Sequence, residues 1–160
     1  SHEAFLIEAL DHHEILPVVS HHAFSQYLIH AAEHVERTKE PSFLLFLKLI
    51  GVDELWHKEG LGLRDGFLLH AVEIINNFLE EVDVVGALDY GEFGVILNLY
   101  QMEAVKTKAD DLTNLLEKSP FVVEENEYAV QSCWGFYEIL ANAAPDQMIL
   151  AASEEARKTL

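Results

Sequence analysis

The stretch His30-Ala31-Ala32-Glu33-His34 has the spacing at which a helix presents two imidazoles and a carboxylate on one face, the arrangement of two zinc ligands and a base. No third ligand is identifiable downstream. In a chain with nine histidines and 28 acidic residues such a pattern arises from composition, and a solvated helix face accounts for it. Gly60-Leu61-Gly62 opens like a dinucleotide loop, but Asp65 stands where the third glycine belongs, so there is no such fingerprint. Cys133, the single cysteine, lies in an apolar run and reads as a buried inert thiol in a reducing compartment. The stretch around which the chain is organised is Val84 to Leu97, two apolar segments rich in β-branched residues joined across Asp89-Tyr90-Gly91. Gly91 can take the positive φ that a tight hairpin turn needs.

The elements that must position this hairpin follow from periodicity. Glu3 to Leu10 and Ala23 to Glu36 have helical spacing, the second with a stripe of Phe24, Tyr27, Leu28, Ala31 and Ala32 and with Ser20 as its N-cap. After Pro41-Ser42, the nearly continuous apolar run Phe43 to Val52 reads as a strand buried on both faces. Asp65 to Glu81 is a periodic core helix, and Glu103 to Lys118 an amphipathic one stopped by Ser119-Pro120. Phe121 to Val123 and Tyr128 to Phe136 read as a second hairpin across the acidic run Glu124 to Glu127, and Pro145-Asp146 opens a last helix toward Leu160. This order predicts one α+β domain over residues 1–160, with a central, mainly antiparallel sheet flanked by helices. A beginning and an end in helical segments predict a domain excised from a longer multidomain protein.

The formal charge of −18 repels nucleic acid and anionic membrane. No apolar run reaches the ~18–20 residues that span a bilayer, and no signal peptide opens the chain, so a cytoplasmic setting is expected.

From Leu47 onward the sequence resembles the GGDEF family, the diguanylate cyclases of bacterial cyclic di-GMP signalling. The family's L-D-I-D-x-F-K-x-I-N-D-x-x-G-H-x-x-G-D falls without a gap on Leu47-Lys48-Leu49-Ile50 through Gly60 to Asp65. Its G-G-(D/E)-E-F hairpin falls on Asp89-Tyr90-Gly91-Glu92-Phe93, and its S-I-G strand on Cys133-Trp134-Gly135. Upstream, Asp11-His12-His13 also resembles the D-H-H of a phosphoesterase family, but the further aspartate motifs of that family are missing and a solvated segment explains it.

The GGDEF resemblance implies that two carboxylates hold magnesium on a triphosphate, and those two positions are Lys48 and Gly91 here. A lysine at about 4 Å repels a divalent ion by roughly 8 kcal/mol at an effective dielectric near 20. The family's guanine-binding asparagine corresponds to Trp56, and its guanine-binding aspartate to Asp65. Two glycines that admit phosphate have become Asp89 and Tyr90, whereas Glu92 and Phe93 persist. The family's inhibitory R-x-x-D reads Glu80-Glu81-Val82-Asp83, so the phosphate-gripping arginine is an acid.

The resemblance therefore implies a degenerate, non-catalytic GGDEF-like regulatory or protein-interaction module, with no metal or other cofactor. The alternatives are a GTP or cyclic di-GMP receptor, in which Lys48 replaces metal charge and Asp65 reads guanine, and an active cyclase, which the missing ligands disfavour. The expected partners are other domains of the same chain, a signalling protein, or a second copy in a homodimer. Tyr90 and Trp56 are the interaction candidates, with Tyr90 expected at an exposed hairpin tip beside Trp56 and ringed by Asp89, Glu92 and Glu59; the alternative is that Tyr90 and Trp56 collapse together and plug the pocket.

Overall fold

The computed structural model describes residues 5–6, 15–16, 18–98 and 101–159, and of residues 5–6, 15–16, 56, 58–59 and 61 the backbone alone. Four strands form the central sheet: β3 (Ser42–Leu49), β4 (Val84–Asp89), β5 (Glu92–Asn98) and β8 (Ser132–Glu138), in the order β4-β5-β3-β8 with every neighbour antiparallel. β3 and β4 are thus parallel strands split by β5, and β5 and β8 parallel strands split by β3. Helices α2 (Val52–Glu59) and α3 (Leu61–Phe78) make the first crossover, and α4 (Met102–Glu117) the second. α1 (His21–Thr38) and α5 (Pro145–Arg157) lie on the other face.

Two core clusters separate along the pleat. Leu45, Leu47 and Leu49 of β3 meet Phe67, Ala71 and Ile75 of α3 and Leu112 of α4, while Leu44 and Phe46 meet Leu28 of α1 and Met148 and Ala152 of α5. Because β3 is covered on both sides, its apolar run is continuous rather than alternating. Ser20 caps α1 as its type predicts, its Oγ accepting from the Ala23 N–H at 3.1 Å.

Phe24 explains how closely α1 approaches. Its ring lies over the cross-strand pair Gly86 and Gly94, where a Cβ at either glycine would come within 2.6 Å of it. Gly135 does the same for α5, since a Cβ there would lie 2.3 Å from the Ala152 carbonyl oxygen.

The structure corrects several sequence expectations. The β3 strand ends at Leu49 rather than Val52, because Gly51 at φ +85° turns the chain and Val52 already opens α2. α3 covers Leu61–Phe78 rather than Asp65 to Glu81. Phe121–Val123 (β6) pairs with Asn126–Tyr128 (β7), not with a strand over Tyr128 to Phe136; β8 instead joins the central sheet beside β3. Glu124 takes φ +56° and closes that hairpin within two residues. Near the start, Phe5–Leu6 (β1) pairs with Ile15–Leu16 (β2) where a helix over Glu3 to Leu10 is expected. The rest of that helix and Asp11-His12-His13 fall outside the described residues.

Phe24→Ala should cost about 3–5 kcal/mol in urea unfolding. Gly86→Ala alone should cost about 1–3 kcal/mol by overpacking and far less in the Phe24→Ala background, a coupling that a double-mutant cycle measures.

Candidate functional site

Lys48 and Glu92 are directly opposed partners on β3 and β5, next to the hairpin turn Tyr90-Gly91. Lys48 is the one exposed residue of β3, and its Nζ stands 3.8 Å from Glu92 Oε2. The pair borders an open cleft of about 440 Å³, lined also by Gly51, Asp53, Asp89 and Tyr90. Burial pushes the Glu92 carboxyl above its ordinary range; the Asp89 charge pushes the same way, and Lys48 opposes both. Asp53 adds to the rise and Arg157 of α5 offsets part of it. Behind this pair lies Cys133, buried as expected, its thiol pushed up chiefly by burial.

The turn itself is fixed from two sides. Gly91 takes φ +67°, and a Cβ on it would come 2.8 Å from Val52 Cγ2, so a side chain there is strained in backbone conformation and has to push Val52 aside. Tyr90 is half-buried and packs on the core instead of standing at an exposed tip. The Arg64 guanidinium lies 4.1 Å from the centre of its ring, a cation–π contact. Arg64 is 1% exposed, and its Nη2 also donates to Asp65 Oδ1 at 3.4 Å. Asp65 is likewise buried, and its Oδ2 has no hydrogen-bond partner among the described residues. Phe93 is core, and Asp89 is exposed with Oδ1 accepting from the Tyr90 N–H at 2.8 Å. Trp56 lies on α2 by its backbone, and its side chain, like that of Glu59, is outside the described residues.

The structure therefore brings Lys48, Asp89, Tyr90, Gly91 and Glu92 together, with Asp65 linked to Tyr90 through Arg64. Glu80 and Asp83 are elsewhere, before the opposite end of β4, roughly 20 Å along the strand. Asp83 is built into the fold: its Oδ2 accepts from the Glu80 N–H at 3.1 Å and lies 3.5 Å from Lys108 Nζ of α4. Burial raises the Asp83 carboxyl against the pull of that N–H and of Lys108.

Sequence reading missed Arg64, Asp53 and Arg157. Arg64 carried a signal, an arginine beside Asp65 between Gly62 and Gly66 at the start of an apolar helical stretch, whereas nothing local marks Arg157 as a neighbour of β5. On α1, His30 Nδ1 lies 3.7 Å from Glu33 Oε1, but His34 turns to Glu40 at 3.4 Å. Among the described residues no group of three or more His, Cys, Asp or Glu is placed to hold a metal ion, and no helix is long and apolar enough to cross a membrane.

No protein-family model matches the sequence, and no curated protein does. Solved structures match the fold. The GGDEF domain of DgcB from Caulobacter crescentus, in complex with c-di-GMP, superposes with a TM-score of 0.84 at 14% identity, over 99% of this chain and 91% of that one. Diguanylate cyclase SiaD from Pseudomonas aeruginosa, in complex with its activator SiaC, gives 0.83 at 15% identity over 89% of this chain, which spans only 55% of the SiaD chain. The GGDEF domain of YfiN from Pseudomonas aeruginosa gives 0.81 at 19% identity, over 89% of each chain. The chain has the fold of GGDEF domains.

Two measurements test the site. The raised Glu92 carboxyl binds its proton more tightly in the folded state, so this group's contribution to stability is present at low pH and is lost as pH rises past the unfolded value toward the folded one. Glu92→Gln should therefore raise the melting temperature at pH 7, with the gain vanishing below about pH 4. Tyr90→Ala should cost about 2 kcal/mol, less than a fully buried aromatic because the ring is half-exposed; a loss under about 0.5 kcal/mol would show that the ring contributes no packing.

Proposed function

We propose that this chain is a non-catalytic GGDEF-fold module, a cytoplasmic regulatory or protein-interaction unit in bacterial cyclic di-GMP signalling. The observation that carries the reading is the Lys48 ammonium beside the hairpin turn, engaged with Glu92 at a position where the resemblance calls for a metal-binding carboxylate. The second such position is Gly91, which offers no ligand and where a side chain would press on Val52. The residues present do not fit the magnesium that the family implies, and no step of turnover is derived through it.

Arg64 adds support. Its guanidinium already donates to the Asp65 carboxylate, so a guanine base would have to displace a buried, charge-assisted contact to use that acceptor. The reverse observation, that buried Asp65 Oδ2 has no partner, favours the second reading, a GTP or cyclic di-GMP receptor. The DgcB structure contains c-di-GMP and the SiaD structure an activator protein, so both a nucleotide and a protein partner have precedent in proteins that carry this fold. With Asp65 Oδ1 engaged by Arg64 and the cleft acidic, a protein partner is the stronger reading here. Tyr90 and Trp56 remain its candidate contacts.

Purified chain should form no cyclic di-GMP from GTP with magnesium or manganese, and Lys48→Asp combined with Gly91→Asp should not restore turnover. Product above a no-enzyme control would overturn the non-catalytic reading. Calorimetric titration with GTP and cyclic di-GMP, with and without magnesium, separates module from receptor: heat of binding without turnover selects the receptor.

A further inference from the structure

The two edges of the central sheet are treated differently. Along β4 the chain segment before α1 supplies a partner: the Val19 N–H donates to the Val85 carbonyl at 2.9 Å and the Ala87 N–H to the Val19 carbonyl at 3.0 Å. Along β8 no described residue does so. The bonds from the Ile139 N–H to the Ser42 carbonyl and from the Ile50 N–H to the Gln131 carbonyl fix the parity of the β3–β8 ladder. Odd-numbered residues of β8 bond inward to β3, and Ser132, Trp134, Phe136 and Glu138 direct their N–H and C=O groups away from the sheet. Among the described residues no backbone group meets them.

Such an edge is a template for another strand, and β8 itself carries none of the usual protections along its middle. β8 has no proline, its register against β3 is continuous, and it carries no charge before Glu138. Trp134 and Phe136 are half-buried, their ring centroids 6.0 Å apart on one face of this edge.

We propose that the outer edge of β8 is a self-association surface, at which two copies of this chain pair antiparallel and join their sheets into one of eight strands. What selects a second copy is that the edge is complementary to itself. With Gly135 facing Gly135 across the two-fold axis, Trp134 faces Phe136 and Ser132 faces Glu138, and each of these is a pair of outward-directed residues, as hydrogen bonding requires. The register sets aromatic against aromatic on one face and puts each Glu138 opposite a neutral serine. A pairing of this size buries little area, and each copy carries a charge of −18, so the dimer is weak and forms more readily as salt screens the repulsion.

The test combines sedimentation with amide hydrogen exchange on the full chain. Between ~10 µM and ~1 mM protein, a monomer–dimer equilibrium should appear that tightens from ~50 mM to ~500 mM sodium chloride. Amides of Ser132, Trp134, Phe136 and Glu138 should gain protection with concentration, whereas those of Cys133, Gly135 and Tyr137 should be protected throughout. Glu138→Pro, at an exposed position whose N–H points outward, should keep the melting temperature and weaken association at least tenfold. A chain that stays monomeric at ~1 mM, or a dimer in which the four outward amides exchange as freely as in the monomer, overturns the proposal. Association unaffected by Glu138→Pro in a folded variant overturns it as well.

Discussion

Burial of β3 on both faces is the constraint on which the rest depends. Seven of its eight residues are buried, so helices must close on both sides, and the sheet must be smooth enough to let them in. Gly86 and Gly94 form the slot for Phe24, and Gly135 admits the α5 backbone. A charge can stand on this strand only near its end, beyond the helices that cover its middle. Lys48 occupies that place, and by strand pairing it falls opposite Glu92 at the hairpin turn. The location of the site is thus a consequence of how the core is closed.

The cleft at that end has an acidic balance despite Lys48. Asp53, Asp89 and Glu92 act on one another there, and the net rise in the Glu92 carboxyl shows that burial and like charge outweigh the attraction of Lys48 and Arg157. A polyphosphate entering without a metal ion would meet this field, with one exposed lysine already engaged by a carboxylate. The same field suits a partner bearing positive charge at its rim, where complementarity acts on encounter rate and specificity more than on raw affinity.

What could be read from the sequence was what local chemistry decides. The apolar run of β3, the serine cap of α1, the glycine of the hairpin turn and the burial of Cys133 each follow from residue type and spacing. The hairpin Phe121–Val123 with Asn126–Tyr128 was misjoined to β8, because the apolar residues from Tyr128 to Phe136 do not announce that the chain leaves one sheet for another after Tyr128. Residues whose meaning depends on a distant partner were hidden. Gly86 and Gly94 are ordinary strand glycines until Phe24 is placed over them, and Arg64 is a helix residue until Tyr90 arrives at its guanidinium. Asp83 is half of a lost motif in sequence, yet in space it holds the start of β4 to α4.

On the proposed reading, the changes at the hairpin are coupled rather than independent. Gly91 takes a left-handed conformation with Val52 against it, so a carboxylate there strains the turn and displaces Val52. Tyr90 precedes it, and the pose of that ring is tied to Arg64, whose guanidinium is tied to Asp65. Freeing Asp65 for a base would break its buried ion pair with Arg64, a change that removes several kcal/mol of stability in buried ion pairs generally. Each altered residue therefore makes the others harder to reverse, and stability holds the turn in its present form whatever ligand the fold once served. A surface fixed in this way is rigid, and rigidity at an aromatic flanked by charge is what a protein contact uses, because little side-chain freedom is left to lose on binding.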